Sequence, residues 1–549
     1  MPGPELTRAI DPGPPGQAGS NRHDGSEPSH RWRDYLFPST GDLIFILFLV
    51  ALSTGSLATK MLGDAGIGWH IRTGELILES KWVSRVDPFS STMHGQPWYA
   101  WEWLYDVAVG LLHRVAGLNG VVFFSALAIA ATFAFAFRRM IFRGTGVVLA
   151  VGLVLIAAVA SSVHFLARPH VFSWLLTLIW FEVLRNYVRE GKARHLFWLP
   201  ALMLIWVNVH GGFLVGFVLL GAYCLGLVLD RVVGEGASAG NGTGEKTSLQ
   251  KAQFLAVAGT GSAVVTLVNP YGYRLHEHIY RYLTDRFLMD HIDEFLSPNF
   301  HGLPQKFFAI LILLGVITAA VARRKIEISE LLVMLFAVYS GLYATRNIPV
   351  SALLLAMIVG PHLSRAGEGW ATGEGVATIL TRYSAGYLRF EERMTALEVS
   401  LKGHWPAILA ILVGSGICLQ GDRLGASQFM NAQFDPNRFP KQAVDWLENE
   451  RVREPVFCVD SWGGYVIYRE FPRLQVVVDD RHDLYGSEYL KNYLKIVRVE
   501  PGWDQALERT HASWLLLPSQ SAAATLLRQI PAWKVTYEDK TAVVFHRVD

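Results

Sequence analysis

A helix that crosses a bilayer needs about twenty largely apolar residues, and this chain of 549 residues supplies runs of that kind, some of them short, from end to end. They lie at about 41–59, 120–137, 146–163, 170–188, 196–210, 212–230, 251–268, 306–321, 329–345, 347–363 and 405–420, with 196–230 readable as one kinked element or two. With 51% of residues hydrophobic and only 17% charged, the expected fold is a polytopic α-helical membrane protein of about 11 spans. Lys and Arg number 49 against 47 Asp and Glu, a net charge of +2, which excludes the basic field that nucleic-acid binding requires. Cys224, Cys418 and Cys458 form no CxxC, and the first two lie in apolar runs. Neither a structural zinc site nor a disulfide framework is expected.

Short loops rich in Lys and Arg stay cytoplasmic. With the N-terminus inside, the inner loops carry Arg138, Arg139 and Arg143; then Arg185, Arg189, Lys192 and Arg194; then the stretch from Asp230 to Lys251; then Arg323, Arg324 and Lys325. Residues 1–40, rich in Pro, Gly, Ser and charge, are expected to be a disordered cytoplasmic tail without a signal peptide. Residues 41–420 form the expected multi-span domain, and 60–119, 269–305 and 421–549 face the outside. In the first outer loop, IGWHIRTGELILES and WYAWEWLYDVAVGLLHRVAG read as interfacial amphipathic helices, with turns at Asp87-Pro88 and Gly95 between them. From about Phe434 the pattern changes to a small extracytoplasmic α/β domain. FPKQAVDWLENE and SEYLKNYLKIV read as helices, PVFCVD, SWLLLP and AVVFHRV as strands, and VVVDDRHDLYG as the end of another strand.

Polar residues at membrane depth are costly, and here they gather at the outer ends of the spans: Asp64, His164, Arg168, His170, Asn208, His210, Asn269, Arg274, His276, Arg346 and Asn347. Arg168 and Arg346 stand in short outer hairpins where cations are disfavoured, so each either snorkels to headgroups or meets an anion. His170 and His210 are either core histidines or cavity-lining groups, and NVHGG marks a backbone break between two apolar runs. Asn269 opens NPYG, a helix stop that doubles as a candidate ligand. Asp64 directly follows the first span, where it serves as a helix cap, a catalyst or both. Asp87 before Pro reads first as a turn residue and second as a catalytic carboxylate. Glu102, inside a tryptophan-rich belt, wants a partner that His70 or Arg72 could supply.

The chain resembles the GT-C fold of membrane glycosyltransferases, the group that includes protein O-mannosyltransferases and lipid A aminoarabinose transferases. The likeness rests on the first-loop acid, the interfacial helices, the uneven spans and the outer C-terminal domain, and covers roughly residues 41–549. It is nearest to uncharacterised bacterial members carrying GWHIRTGE, DPFS, PW followed by EWL, WVNVHGGF, NPYG, RNIP, GGYVIYRE and DLYG. Where other relatives often have an Asp-Glu pair, Ala65 follows Asp64 here. The resemblance implies an enzyme of the bacterial cytoplasmic membrane that moves a sugar from a polyprenyl-phosphate donor to an extracytoplasmic glycan, lipid or protein. Asp64 would then be the general base, with Glu102 and Asp87 as further catalytic candidates. His70, Arg72, Arg168, His170, His210, Asn269 and Arg346 would bind substrate, a divalent metal staying open, while the C-terminal domain covers the cavity or holds the acceptor. The rival readings are a transporter or flippase of a lipid-linked or anionic substrate and a non-catalytic scaffold of the same fold. Neither corresponding halves nor mid-membrane charges favour transport. The sidedness generates a direct expectation: a cysteine placed at Ser519 is labelled by an impermeant thiol reagent from outside, and protection there would overturn the topology.

Overall fold

The structure, a computed structural model, describes residues 31–234, 247–322, 325–371 and 378–548. Most of the expected tail, the middle of the loop from Asp230 to Lys251, and Arg323 and Arg324 lie outside the described residues. The chain is a multi-pass helical membrane protein, and a helix stands at each of the eleven apolar runs. Seven helical segments among the described residues, including Trp103–Phe142, His170–Glu190 and Thr345–Gly367, are long and apolar enough to span a bilayer by themselves. The others are shorter or bent, as where Gly386–Ser400 meets Trp405–Leu419 at 59°. The stretch 196–230 is two helices, Trp198–Val209 and Leu214–Gly234, because His210 takes an extended backbone (φ −165°) between them.

Buried ion pairs pin the bundle at the basic-loop end. Glu182 accepts from Arg139 and Arg143, and Glu330 accepts from Arg185 at 2.7 Å and contacts His362 at 3.1 Å. At the other end the first loop folds back as the helix Gly66–Ser80. It lies so close to Trp103–Phe142 that a Cβ on Gly74 would overlap the Asp106 carbonyl. The same helix crosses Asp460–Glu470 of the C-terminal domain, where a Cβ on Gly68 would overlap the Gly464 carbonyl. Trp103–Phe142 itself is kinked at Ala116 and Gly117, and the left-handed φ of Gly117 (+56°) lets an amphipathic first-loop segment pass into an apolar span.

The C-terminal domain carries a mixed four-stranded sheet in the order Val456–Cys458, Trp514–Pro518, Ala542–Arg547, Trp533–Glu538, the first pair parallel and the others antiparallel. WGGYVIYRE is helical, and Trp533–Glu538 is a strand the pattern did not reveal. The strand expected at LQVVVDD does not form as a ladder. Its hydrogen bonds are divided, with the Ser91 amide donating to the Val476 carbonyl and the Val477 amide donating to Val456, so the segment stitches the first loop to the sheet. Ser519 is 9% exposed and donates to the Asp539 carbonyl, so exposed Lys534 on the edge strand is the better position for topology labelling.

The two layers are locked by Arg481. Its guanidinium donates to Asp479 at 2.7 and 2.8 Å and to Asp87 of the first loop at 2.7 Å, all three side chains being almost fully buried. Trp98, Phe89 and Trp69 surround it at 4.7, 5.2 and 6.0 Å. Removing one partner of a buried ion pair leaves uncompensated charge, at a cost of about 3–5 kcal/mol. Arg481→Met is therefore expected to loosen the C-terminal domain by about that amount, read as earlier thermal unfolding and faster proteolysis between the domain and the bundle. Wild-type resistance would show that the pair is not the lock.

Candidate active site

Asp64 sits two residues beyond Leu62, which closes the helix Gly55–Met61. Its Oδ1 accepts from the Gly66 amide at 2.8 Å, which tethers the start of the first-loop helix, and from Arg168 Nη1 at 2.9 Å. Oδ2 has no protein partner among the described residues, and the side chain is 36% exposed. Arg168 is held in the turn before His170–Glu190, and the same Nη1 donates to Asp480 at 3.2 Å. Trp69 Nε1 donates to the other oxygen of Asp480 at 3.0 Å. A Cβ on Gly66 would overlap both Arg168 and Asp480, so this approach needs glycine. Burial opposes the charge of Arg168, but Asp64 and Asp480 hold its proton affinity above the usual range. Burial pushes Asp480 up to about 6 against the pull of Arg168, with Asp64 and Asp479 adding to the rise.

A second group lies beside Trp69, whose ring is 3.6 Å from that of His70. Fully buried His70 makes a 2.6 Å hydrogen bond from Nδ1 to Asp106, while its Nε2 has no hydrogen-bond partner and faces Glu102 at 3.6 Å. Burial, followed by the charge of Arg168, lowers the proton affinity of His70 well below the usual range and keeps the ring neutral. Glu102 is approached from the other side by His210 Nε2 at 3.7 Å. His210 Nδ1 accepts the Gly212 amide at 3.0 Å, which leaves the proton of the neutral ring on Nε2, toward Glu102. Burial pushes Glu102 up to about 8, with Arg168 opposing. The His170 ring lies 6.4 Å from that of His210, and its Nε2 donates to the His164 carbonyl at 3.0 Å.

Each arginine has a carboxylate. Arg346 pairs with Glu294 at 3.0 Å and lies over Phe295 at 4.5 Å, and its charge reaches Glu102. The arrangement thus gathers Asp64, His70, Glu102, Arg168, His170, His210 and Arg346 at one end of the bundle. Three other candidates stand apart. Arg72 donates to Glu75 and to the Tyr468 carbonyl, on the docking side of the first-loop helix. Asn269 is spent on its own turn, donating to the Thr266 and Gly272 carbonyls. Asp87 is consumed by Arg481, Ser90 and the Phe89 amide, and those partners outweigh its burial and hold it ionised below the usual carboxylate range. Its position makes it part of the lock and not of the cavity.

Asp106 and Glu294 are not singled out by sequence, and Asp480 reads with Asp479, Arg481 and Asp483 only as part of a polar loop after a strand. Asp106 had a signal, since it follows Glu102 by four residues and shares its helix face. Asp480 and Glu294 meet the site only through long-range folding. No group of three or more His, Cys, Asp or Glu side chains suited to a metal occurs among the described residues. Between Asp64 and Asp480, where two carboxylates converge, the Arg168 guanidinium already supplies the cation. No step is assigned to a divalent ion.

No family model matches the chain, and no curated protein does. Among solved structures it is similar to the archaeal oligosaccharyltransferase of Archaeoglobus fulgidus tethered to an acceptor peptide, with 11% identity and a TM-score of 0.50 over 93% of this chain and 74% of that one. It is also similar to ArnT from Cupriavidus metallidurans. The apo form matches with 13% identity and a TM-score of 0.48, covering 92% of this chain and 97% of that one. The form bound to undecaprenyl phosphate matches with 12% identity and a TM-score of 0.47, covering 93% and 97%. The likeness to the oligosaccharyltransferase places this chain in the GT-C fold.

Glu102 gives the site a pH signature. Its carboxyl holds a proton up to about 8 in the folded protein against an ordinary value of 4.5. Between those values the folded state binds more protons than the unfolded one, so stability falls as pH rises. The melting temperature is expected to drop between about pH 5 and pH 8, and Glu102→Gln should flatten that drop. Parallel slopes for the two proteins would place the titration elsewhere.

Proposed function

We propose that the protein is a membrane glycosyltransferase that moves a sugar from a polyprenyl-phosphate donor to an extracytoplasmic acceptor. The observation that carries this reading is the pairing of Asp64 with Arg168 at the end of the bundle where the first loop and the C-terminal domain meet, with Asp64 Oδ2 left without a protein partner. The GT-C fold supports it. The distribution of basic loops supports an outward-facing position for this end, in a bacterial cytoplasmic membrane. Nucleotide sugars are absent there, so the activated sugar arrives on a lipid whose phosphate rests at the interface.

Asp64 accepts the proton of the acceptor hydroxyl as its oxygen bonds to the anomeric carbon. The bond from that carbon to the phosphate oxygen breaks, and the polyprenyl phosphate leaves with the electron pair, its growing charge met by Arg168 and Arg346. With no covalent intermediate, the anomeric centre inverts. Glu102, protonated at neutral pH, adds no negative charge against the phosphate and serves as a hydrogen-bond donor. Gathering of these polar groups at one end of the bundle, away from mid-membrane, gives the transporter reading no comparable support.

Asn also caps helices. Asp64→Asn should therefore keep the fold and donor binding while sugar transfer falls by about two to four orders of magnitude, measured with purified protein and a synthetic lipid-linked sugar. Near wild-type transfer would remove Asp64 as the base, and absence of transfer in the wild type would favour the transporter or scaffold readings. Arg346→Ala should weaken donor-lipid binding by about 1.5–3 kcal/mol, the worth of a charge-assisted contact, and unchanged affinity would return Arg346 to a structural partner of Glu294.

A further inference from the structure

Away from the catalytic cavity, the C-terminal domain and the first loop enclose a cleft of ≈ 510 Å³. Ser91 and Thr92 form its first-loop wall, and Tyr489, Asn492 and Tyr493 of the helix His482–Arg498 form the opposite one. Arg509 and His511, which follow the helix Trp503–Glu508, stand at its rim.

We propose that this cleft binds an acidic sugar unit of the acceptor, so that the acceptor is an anionic glycan. Naming the ligand a carbohydrate rests on the glycosyltransferase reading; the sign of its charge rests on the cleft alone. The lining contains an arginine and a histidine but no carboxylate. The acids adjacent in sequence to lining residues are engaged elsewhere, Glu508 with Arg547 at 3.3 Å, Glu454 with Ser513 and Trp514 at 3.0 and 2.6 Å, and Glu488 with Lys491 at 2.6 Å. Arg509 is exposed and has no side-chain hydrogen-bond or ion-pair partner among the described residues, so it is a free cation at a cleft lined by both polar and apolar groups.

The tyrosine hydroxyls are tied back. Tyr489 donates to the Val477 carbonyl at 3.2 Å and Tyr493 to Asp460 at 2.8 Å, which fixes the two side chains as rigid walls. The partly exposed Tyr489 ring, with amide, hydroxyl and guanidinium groups around it, suits an apolar face and the hydroxyl edges of a pyranose. Asn492 uses its Nδ2 on the Glu488 carbonyl and keeps Oδ1 as an acceptor. His511 adopts a left-handed backbone (φ +53°), which non-glycine residues seldom do and which fixes where its ring leaves the chain. The wall of the cleft is coupled to the catalytic cavity by hydrogen bonds. Tyr493 bonds Asp460, Asp460 bonds His482 at 3.0 Å, and His482 lies two residues from Asp480, so hydrogen bonds tie the wall of the cleft to the site around Asp64.

The test is direct binding to the full-length protein in lipid nanodiscs, by saturation-transfer NMR and thermophoresis, of a panel of short oligouronates against neutral oligosaccharides of equal length. At least one oligouronate is expected to bind at least tenfold more tightly than its neutral counterpart, more weakly as salt rises. Arg509→Gln should remove that preference without changing the melting temperature, and Asp64→Asn should bind as wild type. Equal binding of acidic and neutral sugars, absence of binding by any oligouronate, or full retention in Arg509→Gln would overturn the proposal. Because no transfer is measured, loss of the catalytic reading through Asp64 would leave this result standing, and failure here would leave transfer untouched.

Discussion

The candidate site depends on the burial of Arg481 between Asp87 and Asp479. Asp479 pairs with Arg481 inside the C-terminal domain, whereas Asp87 belongs to the first loop and meets its cation only when the two layers are in contact. An arginine with two buried carboxylates and a cage of aromatic rings has no equivalent partner in solvent, and separating the layers would expose or strand charge on both sides. The adjacent residue, Asp480, is thereby delivered to Arg168 and Trp69. The glycine crossings at Gly68 with Gly464 and at Gly74 with Gly110 permit the same approach sterically. Docking and site assembly are therefore one event.

Within the site, charges are balanced before any substrate arrives. Arg168 is shared by Asp64 and Asp480, and Arg346 is held by Glu294. An incoming phosphate would compete with these carboxylates, and protonation of Asp480, which titrates near 6, is the least costly way to release a share of Arg168. Glu102 between two neutral imidazoles carries no charge at neutral pH, and the fixed charge of Arg168 reaches both Glu102 and His70. The site combines fixed cations with adjustable acids, an arrangement suited to handling a phosphate whose charge changes during reaction.

Much of the architecture was legible because bilayer and pleat impose periods on the sequence. Each apolar run became a helix, and the break at NVHGG became the His210 turn, since a backbone without regular hydrogen bonds is tolerated at depth only where protein surrounds it. LQVVVDD was misleading because its backbone bonds are split between the strand Val456–Cys458 and the first loop, so only isolated bridges form in place of a ladder. Among site residues, Asp64, Arg168 and Glu102 announced themselves as charges at span ends. The sequence offered no way to see that Asp64 and Asp480, more than four hundred positions apart, share one guanidinium. Nor did it show that Asp87, adjacent to a proline and plausible as a catalyst, is committed to Arg481. Chain separation hides such pairs, and only packing reveals them.

The central claim is that the end of the bundle beneath the C-terminal domain receives a lipid-linked phosphate at Arg168 and places its sugar beside Asp64. An electron cryomicroscopy structure of the protein in nanodiscs with a polyprenyl-phosphate sugar tests it most directly. The account predicts phosphate density within hydrogen-bond distance of Arg168, on the side of Arg346, with the anomeric carbon within reach of Asp64 Oδ2. Phosphate density at the Arg143 and Glu182 end of the bundle, or a lipid bound with Arg168 still closed on both Asp64 and Asp480, would contradict it.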